Sequence, residues 1–155
     1  MPTKSLENSN SRLLLSEILR KVSNAKTKAE KIALLQKHNS AALRQILIIN
    51  FDDSVVSVMP EGDVPYTPNE APVGTDHSRL EHEYRGLYRF FKGGDNRLKN
   101  LKREQMFVQL LEGLSAEEAE LIVLVKDGKM NTKYKRITKA VVSEAFPQIE
   151  WGNRS

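Results

Sequence analysis

The sequence predicts an all-α single domain, a bundle of about seven helices with one long Pro-rich crossover loop. Three observations carry this. Apolar residues recur at three- and four-residue spacing along most of the chain. Residues that start helices (Ser, Thr) and stop them (Gly) fall at the ends of those periodic stretches. Four of the six prolines, Pro60, Pro65, Pro68 and Pro72, crowd into residues 52–76 with Gly62 and Gly74, where the periodicity fails.

Taken in order, residues 1–10 are polar and are expected to form a flexible tail, with no apolar signal-peptide region. The helical domain is expected over 11–151, with 152–155 as a second tail. Leu14, Leu15, Ile18, Leu19 and Val22 form the first stripe. Thr27 and Glu30 have capping-box spacing ahead of Ile32, Leu34 and Leu35. Asn39-Ser40 precedes Leu43, Ile46, Leu47 and Phe51. The acidic loop 52–76 follows, its "VVSV" at 55–58 reading as a short strand at most. Leu80, Tyr84, Leu87, Tyr88 and Phe91 give the clearest amphipathic stripe, stopped by Gly93-Gly94. Phe107, Leu110, Leu111 and Leu114 mark the next helix. Ser115 and Glu118 form a second capping box, and that helix stops at Gly128. Ile137, Val141 and Ala145 place a last helix before Pro147. Neither flank of the loop has enough helices for a core of its own, so the two halves are expected to share one.

Composition limits the function. The 155 residues suffice for one real core. The absence of cysteine removes disulfides, thiolate metal sites and thiol nucleophiles. No apolar run approaches the roughly 20 residues that span a bilayer, so no membrane partner is expected. Net charge is only +4, but it is unevenly spread. Residues 12–44 hold eight basic and two acidic side chains, 52–83 eight acidic and one basic, and 126–139 six basic and one acidic. Such asymmetry suits a polyanion on one side.

No catalytic constellation emerges, and no metal or cofactor is expected. Lys126-Asp127-Gly128 is one residue short of the Lys-x-Asp-Gly motif of nucleotidyl-transferring enzymes, and reads as a capped helix end. His77 and His82 are five apart, which splits them across a helix rather than stacking them as metal ligands. The pairs Asp52-Asp53 and Glu117-Glu118 are adjacent and diverge.

Binding is better supported. Lys129, Lys133, Lys135, Arg136 and Lys139, with the polar Asn131 and Thr138, surround a turn and a helix start. Arg97, Lys99, Lys102 and Arg103 follow Gly93-Gly94 in the same way. Each set suits sequence-independent attraction to phosphates. In a separate class, Gln45, Ile48 and Phe51 partly match the Gln-x-x-aliphatic-x-x-aromatic pattern that docks on sliding clamps, with Asp52 in place of the second aromatic.

Two resemblances extend this reading. "AKTKAEKIALLQKHN", "LRQILIINF", "LSAEEAELIVLVKDGK" and "KYKRITKAVVSEAF" are similar to the N-terminal DNA-binding domain of T-even-phage-type ATP-dependent DNA ligases, spread over residues 13–149. "APVGTDHSRL" and "KREQMFVQLLEGL" resemble segments of small uncharacterised proteins of T4-like phages of marine bacteria. The first likeness implies a helical domain gripping duplex DNA, intact, nicked or gapped, through the two basic sets above. The ligase domain often has glycine at the start of its last helix; Tyr134-Lys135 stand there in this chain. The ligase catalytic domains are absent, so the likeness implies a non-enzymatic module. The second implies a phage accessory protein in the cytoplasm of an infected bacterial host. The alternative is a protein-interaction module acting on replication or transcription machinery, or a virion structural protein.

Overall fold

The computed structural model describes residues 13–71 and 77–154. The expected tail at 1–10 and residues 72–76 of the crossover, with Pro72 and Gly74, lie outside them. Among the described residues the fold is all-α, as expected. In chain order the helices are α1 (Leu15–Asn24), α2 (Lys28–Lys37), α3 (Ala41–Phe51), α4 (Leu80–Glu83), a 3-10 helix (Tyr84–Phe90), α5 (Asn100–Gly113), α6 (Ala116–Lys126), a short 3-10 turn (Met130–Thr132) and α7 (Lys139–Ala145). The "VVSV" segment contributes a single antiparallel bridge, Ser57 to Phe91.

Two helices form the centre because they are apolar on nearly every face. In α3, Ala42, Leu43, Ile46, Leu47, Ile48 and Ile49 are all buried; in α6, Ala119, Leu121, Ile122, Val123 and Val125 are. The two pack on each other. α1 packs on α2 and α6, and α2 on α7. The 3-10 helix touches α3 and α5, and α5 packs on α6. One hydrophobic cluster runs from Leu15 to Phe146, so the halves flanking the loop share a core.

The caps read from sequence are present. Thr27 Oγ1 accepts from the Glu30 amide (3.1 Å), and Ser40 Oγ accepts from that of Leu43 (3.0 Å). Ser115 caps α6 more loosely, at 3.4 Å from the Glu118 amide. The Glu118 side chain does not complete that box. It is fully buried, and its carboxylate accepts from the amides of Leu15 (2.9 Å) and Leu80 (3.0 Å). One acid thus serves the first residue of two helices brought together from distant parts of the chain. Burial raises its pKa, and the two amides and Arg79 oppose that rise.

Two expectations need correction. Residues 80–91 are not one α-helix. After one α-turn the chain tightens to three residues per turn, which aligns Tyr84, Leu87 and Phe90 on one face. Leu87 and Phe90 are buried, and Phe90 meets Phe107 edge to face with ring centres 4.9 Å apart. Tyr88, expected in the core stripe, is turned out and is 49% exposed. The described part of the 152–155 tail is tied down. Asp52 Oδ2 accepts from the Gly152 amide (2.8 Å) and from Arg154 Nη1 (2.6 Å), and the Arg154 amide bonds Ser54 Oγ (3.0 Å).

Candidate nucleic-acid interface

The end of α6 sets up the basic turn. Asp127 caps the helix, Gly128 adopts φ +69°, and the Lys129 amide returns to the Leu124 carbonyl at 2.9 Å. A left-handed glycine after the last turn is a common helix stop. Lys126 does more than favour the helix dipole. It is buried, and its Nζ donates to the Pro60 and Gly62 carbonyls (2.9 and 2.8 Å) and to Asp127 Oδ2 (2.8 Å). Its amine therefore fastens the crossover loop to α6.

Beyond that point, buried pegs decide which side chains face out. Asn50 of α3 accepts from the Met130 amide (2.9 Å), and Met130, Tyr134 and Ile137 are buried. Burial raises the Tyr134 phenol pKa strongly, with Glu117 adding to the rise. Lys133, Lys135, Arg136 and Lys139 lie between or just beyond the pegs and are exposed. Arg136 turns the chain between two pegs with a left-handed φ of +67°. Asn131 and Thr138 serve the turn itself: Asn131 Nδ2 donates to the Ile137 carbonyl, and Thr138 Oγ1 accepts from the Val141 amide (3.2 Å).

The exposed cations differ in their surroundings. Lys133 pairs with Glu120 (2.6 Å), Lys129 with Glu61 (3.4 Å), and Lys139 stands 4.9 Å over the Trp151 ring. Among the described residues, Lys135 and Arg136 have no ion-pair partner. Packing also brings in the other basic segment. Ser23, near the end of α1, donates from Oγ to the Lys135 carbonyl at 2.8 Å. Exposed Lys21 and Lys26 flank Ser23, so two segments over a hundred residues apart meet on one surface. Lys31, also counted as basic, is buried; its Nζ donates to the Ala25 carbonyl at the end of α1.

The second set divides. Arg97, Lys99 and Lys102 are exposed. Arg103 is only 8% exposed, and its guanidinium donates to the Arg89 and Asp95 carbonyls (2.8 and 2.7 Å) and to Asn100 Oδ1 (2.7 Å). It braces the connection rather than facing solvent. A Cβ at Gly94 would lie 1.8 Å from the Tyr88 carbonyl oxygen, so this close turn admits only glycine.

The clamp-like residues sit on α3. Ile48 is buried and Phe51 packs against the core, which leaves no apolar pair for a partner to grip. Among the described residues, no three His, Cys, Asp or Glu side chains gather as a metal site, and no helix is long and apolar enough to cross a membrane.

Sequence reasoning missed three features here: the bracing role of Arg103, the outward turn of Tyr88, and the tie between residues 152–154 and Asp52. The spacing Tyr84, Leu87, Phe90 was a signal for the second. The other two depend on long-range packing.

Residues 18–132 match the model of a family described as "Family of unknown function (DUF6433)", and the chain belongs to that family. Neither a curated protein nor a solved structure matches it. The matched span includes Arg103, Glu118 and Lys126 and stops just before the exposed run that begins at Lys133.

Proposed function

We propose that this protein is a non-enzymatic module that binds duplex DNA through its phosphate backbone. The observation that carries the reading is the Ser23–Lys135 hydrogen bond. It gathers Lys21, Lys26, Lys135 and Arg136 on one exposed surface, with no carboxylate among the described residues paired to the last two. Such a surface attracts phosphates without reading bases. The likeness to the ligase DNA-binding domain points to the same turn and to duplex DNA as partner. The likeness to proteins of T4-like phages adds the role of accessory protein in the cytoplasm of an infected host. Lys126, the one candidate for covalent catalysis, has its amine engaged by three oxygens, which supports a role without catalysis.

The test is a fluorescence-anisotropy titration of a blunt duplex at several salt concentrations. Affinity is expected to fall steeply with salt, with a slope of about 0.9 per phosphate contacted. Replacing Lys135 and Arg136 together by alanine should weaken binding to unrelated sequences equally and make the slope shallower by about two. Unchanged affinity and slope would move the contact elsewhere. No duplex binding by the wild type at low salt would overturn the reading in favour of a protein-interaction module.

A further inference from the structure

The outward-turned Tyr88 sits in a basic neighbourhood. Residues 85–103 hold seven basic side chains and one acid. Arg89 lies over the Tyr88 ring, 5.3 Å from its centre, and Tyr88 as a residue remains 49% exposed. Beside it is a cleft of about 210 Å³, lined by Tyr88, Phe91, Lys92, Gln45 and Arg154 among others. A volume of about 210 Å³ is on the scale of a single planar ring and far below that of a duplex.

The cleft is joined to the basic turn. Trp151 lies under Lys139, and Arg154, three residues on, lines the cleft. Three residues span at most about 11 Å. Asp52 and Ser54 pin that short strap in place. A short strap therefore links the Lys139–Trp151 pair to the cleft lined by Arg154, Lys92 and Tyr88, with the Arg154 charge engaged by Asp52.

We propose that Tyr88 is a stacking platform for an unpaired base, so that the preferred ligand is a duplex with a single-stranded extension or gap. The inference rests on the DNA-binding reading and names the class of DNA. Single strands are held by cations that follow the backbone and by aromatic rings on which bases stack, without sequence preference. Lys92, which lines the cleft, and the exposed Arg97, Lys99 and Lys102 that follow it along the chain supply the first, and Tyr88 the second. The apolar wall formed by Phe91 and Ile49 suits a base and not a phosphate.

The experiment compares three fluorescein-labelled probes: a blunt duplex, the same duplex with a six-nucleotide single-stranded extension, and the single strand alone. A fourth probe carries 2-aminopurine at the first unpaired position, whose fluorescence reports stacking. Wild type is expected to prefer the extended over the blunt duplex by at least about fivefold, the lower end for one base on one ring. Tyr88→Ala should cut that preference by about fivefold and abolish the 2-aminopurine change while leaving blunt-duplex affinity intact. Tyr88→Phe should retain both. The Lys135→Ala, Arg136→Ala double variant should weaken blunt and extended duplexes by the same factor and keep their ratio. Equal wild-type affinity for blunt and extended duplexes overturns the platform and leaves the duplex reading standing. So does a Tyr88→Ala variant that keeps the preference. If wild type binds no DNA at low salt, both readings fall together. Tyr88 is half exposed, so its variants should fold; circular dichroism checks this.

Discussion

The two basic connections look alike in sequence. Each contains glycine, each is followed by lysines and arginines, and each leads into a helix. In the structure they use their cations differently. After Gly94, Arg103 folds back and three of its donors hold the connection together. After Gly128, Arg136 points outward from a left-handed turn between two buried side chains. The same distinction separates Lys31 and Lys126, which donate to main-chain carbonyls, from Lys135, whose side chain has no ion-pair partner among the described residues. Composition counts all of these as positive charge. Only the first kind holds the fold, and only the second is free to meet a polyanion.

Removing Arg103 should break the comparison most visibly. Arg103→Ala deprives two carbonyls and one side-chain amide of a charged donor. The expected loss is about 2–4 kcal/mol of stability, read from urea denaturation. Lys102→Ala, one residue away and exposed, should stay within about ±0.5 kcal/mol. Equal stability of the two variants would show that Arg103 is no brace.

Much of the fold was legible because it follows from local patterns. The stripes of α1 and α3, the Thr27 and Ser40 caps and the Gly128 stop depend on spacing within one or two turns. Glu118 shows the limit. Its sequence neighbours mark it as half of a capping box, yet its carboxylate serves Leu15 and Leu80, which arrive from far along the chain. Arg103 is hidden for the same reason, since nothing local distinguishes it from Lys102. Tyr88 was misplaced because the stripe fits a 3.6-residue period nearly as well as a period of three, and the packing of Phe90 on Phe107 decides between them. Of the candidate site, the location of the turn was readable. Which cations are free, and that α1 joins them, was not.

The strap beside the two connections gives a pH-dependent handle of intermediate size. Burial opposes the charge of Asp52, but hydrogen bonds from Ser54, Gly152 and Arg154 more than offset this and lower its pKa to about 2. An unfolded aspartate titrates near 3.9. A lowered folded value means the charged form stabilises the fold. That contribution, on the order of 2 kcal/mol, is fully present above about pH 5 and is lost as pH falls through about 2. Asp52→Asn should flatten stability against pH in that window, measured by urea denaturation between pH 7 and 2.5. It should also loosen residues 152–154, seen as faster amide exchange at Gly152 and Arg154. An unchanged acid profile in the variant would mean that another carboxylate carries the dependence.

The finest contrast lies at Arg136 itself. A side chain at φ +67° sits in the left-handed region, which costs a non-glycine residue about 1–2 kcal/mol. Glycine removes that strain but loses more backbone entropy on folding, about 0.5–1 kcal/mol. Arg136→Gly should therefore raise stability slightly, by about 0.5 kcal/mol. In the same variant duplex affinity should fall, and its salt slope should become shallower by about one. Stability and binding thus move in opposite directions at one position, whereas at Arg103 the main effect is on stability. A brace cannot give the Arg136 pattern, because removing a brace lowers stability. If Arg136→Gly is destabilising, the arginine side chain holds the turn and the division between the two connections fails at its most exposed member. If stability rises while affinity and salt slope stay fixed, the turn is strained but DNA does not touch it there.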